Sequence, residues 1–174
     1  MREIGVVVTF SSRTGSTEKL ALAAALGAVQ AKAKIRLRWL PEEVDDYAVG
    51  TVPGWRENRD RMAREYIAPR EIDLLWADVL ILAIPARDGL SSPELKTYLA
   101  ALEALRSNGK LDGKVATAFS APDFVSLCSA FTGLHLTLVP PDPTSTGSPM
   151  GNPVDAARLH GRKVVEAARN RPLP

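Results

Sequence analysis

The chain has 174 residues, the size of one domain and enough to bury a core without a disulfide or structural metal. Hydrophobic residues make up 45% and charged residues 24%, which excludes global disorder. With 22 Lys and Arg against 20 Asp and Glu, the formal charge is +2, too mild to argue for a nucleic-acid partner or an anionic membrane surface. A single cysteine, Cys128, excludes an internal disulfide and a Cys-based zinc site. Any metal cage would rest on carboxylates, since His135 and His160 are the only histidines. No apolar run is long enough to span a bilayer, and no secretory pattern opens the chain. The expectation is a cytoplasmic protein with no membrane insertion, folded as one domain over residues 1–174.

Residues 4–10 (IGVVVTF) form a continuous β-branched run, the signature of a strand buried on both faces in a parallel sheet. A turn-forming cluster follows at residues 11–17, and then a helix over about 17–31 with Leu20, Ala24, Ala28 and Ala31 on its buried stripe. Residues 34–39 alternate basic and apolar side chains and read as a half-exposed edge strand, whose charges discourage edge-to-edge pairing. Residues 41–71 are the least regular stretch. Trp55, Met62 and Tyr66 there sit at helical spacing among Arg56, Arg59, Arg61, Arg64 and Arg70, which reads as a solvated amphipathic helix.

A second apolar strand covers residues 79–84 and stops at Pro85. Ser91, Ser92, Pro93 and Glu94 then open a helix that runs to about residue 106. Residues 115–119 and 134–139 are further strand candidates, with a short helix between them over about 122–131. A proline-rich loop spans 140–152, and a last helix, capped by Asn152, covers about 153–169. Strand and helix therefore alternate, which argues for an α/β fold: a doubly wound, five-stranded parallel sheet in the order 2-1-3-4-5 with helices on both faces. Ligands in such sheets bind beyond the carboxyl ends of the strands where the order reverses, here the loops after Phe10 and Ile84.

The loop after the first strand is the strongest functional signal. Ser12, Thr14, Ser16 and Thr17 supply hydroxyls, Gly15 permits close backbone approach and Arg13 brings a positive charge. All stand at a helix N-terminus, whose free N–H groups and dipole favour an anion such as a phosphate monoester. A helix cap with spare hydroxyls is the other reading of the same residues. A Walker A loop would need Gly at Phe10 and Lys at Ser16, and the chain contains no Gly-x-Gly-x-x-Gly fingerprint.

The stretch Ser12-Arg13-Thr14-Gly15-Ser16-Thr17-Glu18 resembles the FMN-phosphate loop of flavodoxin-like proteins. The wider layout is similar to the NAD(P)H:quinone oxidoreductase (WrbA-type) branch. Ile84-Pro85-Ala86-Arg87-Asp88-Gly89 stands where that branch has its ring-side loop. The Leu95-Lys96-Thr97-Tyr98-Leu99 and Gly109-Lys110-Leu111-Asp112-Gly113-Lys114 stretches follow in the same order. The resemblance implies a flavodoxin-like fold, FMN as cofactor, NAD(P)H as cosubstrate, a small quinone-like acceptor and a homo-oligomer, dimer or tetramer.

The resemblance also implies that Ser12, Arg13, Thr14, Gly15, Ser16 and Thr17 hold the phosphate. Pro85, Ala86, Arg87, Asp88 and Gly89, with Ser120 and Ala121, border the ring. No side-chain nucleophile is implied. Arg87 is the candidate for offsetting charge on the reduced ring or holding an anionic substrate group; a surface ion pair is its other reading. Asp88 stands in place of the branch's aromatic, and Ser120 to Phe124 in place of its Gly- and Thr-rich loop. These departures keep a non-catalytic module of the same fold as an alternative. A flavodoxin-type electron carrier is a further one, although such carriers are strongly acidic and this chain is not. Elsewhere, Cys128 reads as a buried inert thiol, His135 as solvent-facing, His160 as a last-helix residue without a site role, and Trp39, Trp55 and Trp76 as packing residues.

Overall fold

All seven residues of Ile4–Phe10 (β1) are buried, and the two sides of this strand face different layers of helix. The computed structural model of the chain describes residues 2–85, 91–119, 124–141 and 152–171. After β1 come α1 (Ser16–Gln30), β2 (Ala33–Trp39), α2 (Asp46–Gly50), α3 (Trp55–Glu65), α4 (Glu71–Trp76) and β3 (Val79–Ala83). Then follow α5 (Pro93–Ser107), β4 (Val115–Phe119), α6 (Phe124–Gly133), β5 (Thr137–Leu138) and α7 (Pro153–Arg169). The five strands form one parallel sheet in the order β2-β1-β3-β4-β5, the doubly wound arrangement expected from the alternation of elements.

Period-2 geometry sorts the strand residues between two cores. Ile4, Val6, Val8 and Phe10 of β1, with Val79 and Ile81 of β3, pack against α1, α7 and Met62 of α3. Val7, Leu80 and Leu82 face the other way, onto α4, α5 and α6. Strands buried on both sides need the continuous apolar runs seen in β1 and β3. The crossover from β2 to β3 is split between the layers, because α3 lies on the α1 side and α4 on the α5 side.

Helices α1 and α7 are in backbone contact. A Cβ built on Gly27 would lie 1.8 Å from the Arg158 carbonyl oxygen, and one on Gly161 would lie 2.1 Å from that of Ala24. This crossing widens the buried face of α1 beyond the expected stripe. Ala21, Ala23, Ala25 and Gly27 join Ala24 and Ala28, while Leu20 stays half-buried.

Edge strand β2 is half-exposed as its alternation requires, but its basic side chains are not all solvated. Arg36 and Arg38 both bond the fully buried Asp73 of α4, at 3.0 Å and 2.6 Å to Oδ1. Arg36 also lies 4.1 Å above the ring of Trp76. The charges pin α4 to the sheet edge as well as blunting it. The last strand is shorter than the apolar run over 134–139 suggests. His135 adopts φ +60° and its N–H donates to Thr132 O, so the helical turn extends into the run and only Thr137–Leu138 pair with β4. Leu134 and Leu136 are buried all the same.

Candidate functional site

The loop after β1 leaves the sheet at its switch point. Phe10 O accepts from Leu40 N at 2.7 Å on the β2 side, while Ser11 N donates to Ala83 O at 3.0 Å on the β3 side. Beyond this fork the chain turns through Gly15, which has φ +89° and serves as the N-terminal boundary residue of α1. A left-handed φ suits glycine, which has no Cβ to clash. Ser12 Oγ accepts from Gly15 N at 3.1 Å and closes the turn. Among the described residues no side chain caps α1 itself, so the N–H groups of its first turn are left for another acceptor. Thr14 and Ser16 are exposed there, Ser12 and Thr17 are buried, and Ser11 Oγ is buried with no hydrogen-bond partner among the described residues.

Helix α3 clamps this loop from the side. Asn58 Nδ2 donates to Arg13 O at 3.0 Å and, more loosely, to Ser12 O at 3.4 Å, while its Oδ1 accepts from Arg61 Nη2 at 2.6 Å. Arg61 forms a two-pronged pair with Glu18, its Nη1 donating to Oε1 at 3.0 Å, and Tyr66 OH donates to the same oxygen at 2.7 Å. Burial alone would raise the Glu18 carboxyl, yet the hydrogen bonds from Arg61 and Tyr66 outweigh it and hold Glu18 below the ordinary carboxylate value. The same burial, with the Glu18 charge, pushes Tyr66 up to about 12. Tyr66 also meets Phe10 edge to face at 5.0 Å.

The guanidinium of Arg13 is engaged on the outer side of the loop. Its Nε donates to Glu42 Oε1 at 2.7 Å, and its Cζ lies 4.3 Å above the Trp55 ring. The positive character of the loop then rests chiefly on the first-turn amides. Asn58 and Glu42 are not singled out in the sequence, and Arg61 and Tyr66 read there only as part of a solvated amphipathic helix. Asn58 does fall on the Trp55, Met62, Tyr66 stripe, which marks it as inward-facing, but nothing local shows that this stripe meets a loop more than 40 residues earlier.

Of the ring-side candidates, Pro85 is half-buried directly after Ile84, whose N–H reaches towards Phe119 O at 3.4 Å. Ala86, Arg87, Asp88, Gly89, Ser120 and Ala121 lie outside the described residues, as does the proline-rich loop from 142 to 151. Cys128 is half-buried rather than buried, and burial raises its thiol. His135 is exposed. His160 faces the sheet: its Nε2 is 2.8 Å from Thr117 Oγ1, and its ring meets Phe119 edge to face at 5.1 Å. Trp39 and Trp55 are buried and Trp76 is half-buried; Trp39 packs in the core, while Trp55 and Trp76 carry the guanidiniums of Arg13 and Arg36 on their rings. Among the described residues no helix is long and apolar enough to cross a membrane.

No protein-family model matches the chain. It is similar over nearly its full length to curated proteins named NAD(P)H dehydrogenase (quinone). The protein from Archaeoglobus fulgidus is 26% identical over 94% of this chain and 96% of its own. That from Deinococcus radiodurans is 26% identical over 95% and 88%. Among solved structures, the flavodoxin, WrbA-like protein from Agrobacterium tumefaciens superposes with a TM-score of 0.60 at 20% identity, covering 96% of this chain and 98% of that one. A flavodoxin from the Archaea gives 0.61 at 12% identity, covering 96% and 100%. These comparisons bear out the resemblance to the WrbA-type branch read from the sequence, and the fold of this chain is flavodoxin-like.

Proposed function

We propose that the protein is an FMN-dependent oxidoreductase that transfers hydride from NAD(P)H to a quinone or similar acceptor. The observation that carries this reading is the loop after β1. A glycine-turned helix N-terminus, without a side-chain cap among the described residues and with exposed hydroxyls, stands where the strand order reverses. Relatives named NAD(P)H dehydrogenase (quinone) match nearly the whole chain and supply the reaction class.

The residues present fit a phosphate monoester. The first-turn amides of α1 lack a cap among the described residues, Thr14 and Ser16 offer exposed hydroxyls, and Ser11 Oγ is buried without a partner there. In this reading Ser12, Thr14, Gly15, Ser16 and Thr17 hold the phosphate, and Arg13 braces the loop through Glu42 and Trp55. Pro85, Ala86, Arg87, Asp88 and Gly89, with Ser120 and Ala121, follow β3 and β4 in the chain and are assigned to the ring. Arg87 offsets negative charge there. FMN supplies the two-electron chemistry when bound, and the protein contributes position, electrostatics and exclusion of water.

The test is a titration of the purified protein with FMN, followed by absorbance and thermal stability. The reading expects a yellow, stabilised complex. Thr14→Val should weaken it about ten- to hundredfold, the range for one lost hydrogen bond to a charged group. The loaded protein should consume NADPH only when a benzoquinone is added. No spectral shift and no stabilisation would return the chain to a non-catalytic module. A yellow protein that leaves NADPH untouched with the quinone present would be an electron carrier.

A further inference from the structure

A cleft of ≈ 480 Å³ runs between α4 and α5, on the sheet face opposite α1. It arises because α4 has only 6 residues while α5 has 15, so much of α5 has no helix alongside. Its walls are apolar: Leu40, Leu74, Tyr98 and Leu105, with the small Ala101 and Ala104 leaving the space open. Its charges are mostly of one sign, Glu42, Glu43, Glu71 and Glu94 against Arg70. Glu42 is committed to Arg13, and the Arg70 side chain is 64% exposed beside Asp73.

Glu94 is the exception that gives the cleft a chemistry. It lines the cavity at 8% exposure, yet it makes no hydrogen bond or ion pair among the described residues. Its carboxylate oxygens are not sealed off, so they present an unshared negative charge to the cavity between apolar walls. Among the described residues no group of three or more His, Cys, Asp or Glu could hold a metal ion. The volume lies within the usual small-molecule range of about 300–1,000 Å³. We propose that this cleft is a second binding site, for a small organic cation whose apolar body lies along α5 and whose ammonium pairs with Glu94.

Glu42 borders both this cleft and the loop after β1, but the charge proposed to act here is that of Glu94, so failure of this site would leave the proposed redox function standing. The test is an NMR titration of the full chain at pH 7 with n-hexylammonium, n-hexanol and n-hexanoate as probes. Hexylammonium should shift the Tyr98 and Ala101 resonances with at least tenfold higher affinity than hexanol, and hexanoate should not bind. Glu94→Gln should bring amine and alcohol within about twofold of each other, with residues 12–17 unmoved throughout. Equal binding of amine and alcohol by the native chain overturns the proposal, and so does no binding of either. This comparison needs no variant, so it decides the matter even if Glu94→Gln folds poorly. A tenfold preference that survives Glu94→Gln, or shifts centred on residues 12–17, also overturns it.

Discussion

The side-chain amide of Asn58 donates to the backbone carbonyl of Arg13 at 3.0 Å, tying the third helix to the loop that follows the first strand. Loop and helix are 45 residues apart in sequence, and this bond is the shortest of those that join them directly. An anion-binding loop needs its amides fixed before the ligand arrives, since ordering them on binding would cost affinity. Asn58→Leu keeps the volume and removes the donor. The expected outcome is FMN binding weakened about threefold to tenfold, the scale of one neutral hydrogen bond. Backbone amides of residues 13–16 should exchange faster with solvent. Unchanged exchange in that segment would mean that the clamp does not hold the loop.

Glu18 anchors the same helix through Arg61 and Tyr66, and its titration should report on that anchor. Its carboxyl lies below the ordinary value in the folded protein, so the stabilisation it gives is present above the usual carboxylate range, near 4.5, and is lost as the pH falls through its lower folded value. Glu18→Gln removes that acid dependence. It should also lower Tyr66 from about 12 part of the way towards 10.0, because burial remains while the anionic acceptor is gone. A spectrophotometric titration of the variant against a Tyr66→Phe control measures this directly. A Tyr66 that still titrates near 12 would show that burial alone sets its value.

The sheet order could be read in advance because each clue was local. The unbroken apolar run of β1 demanded two covered faces, and the Lys34, Arg36, Arg38 alternation demanded an edge. The anion loop was also local, seven consecutive residues from Ser12 to Glu18. What surrounds the loop was not legible. Asn58, Arg61 and Tyr66 looked like a solvated helix, since periodicity reports that a face is buried but not against what. The burial of His160 against Thr117 escaped for a similar reason: the hydrogen bond spans 43 residues, and no pattern in α7 marks it. The run over 134–139 misled because Leu134 and Leu136 are apolar for a core they reach from a turn rather than from a strand.

The α1–α7 crossing makes a sharp prediction about glycine. Gly161→Ala places a methyl 2.1 Å from the Ala24 carbonyl oxygen, where the three nearest atoms are all Ala24 backbone and cannot swing aside. The helices must separate, and the loss should be about 3 kcal/mol or more, at the upper end for overpacking. Gly133→Ala is the control. Nothing lies within 4 Å of its added Cβ and it occupies the last position of α6, so denaturant midpoints should move little, by about 1 kcal/mol at most. Similar losses for both variants would mean that the crossing is not as close as described.

Asp73 gives the clearest acid signature in the fold. Its Oδ2 accepts from Arg38 Nε at 2.7 Å and from the Arg70 N–H at 3.0 Å, and its Oδ1 accepts from Arg38 and Arg36. The Arg38 hydrogen bonds are the largest cause of its lowered value, about 2 against an ordinary 3.8, and they outweigh its burial. Because the folded value is the lower one, the unfolded chain takes up the proton first as pH falls. The stabilisation is therefore whole above about 3.8 and drains away between there and about 2. Asp73→Asn keeps the shape but leaves two half-buried guanidiniums facing a neutral amide, which should cost about 3 kcal/mol at neutral pH. The variant should then be flatter than the native chain in urea midpoints measured across that acid window. If both proteins lose stability in parallel there, the acid sensitivity resides in other carboxylates and the Arg36–Asp73–Arg38 link is not what fastens α4 to the sheet edge.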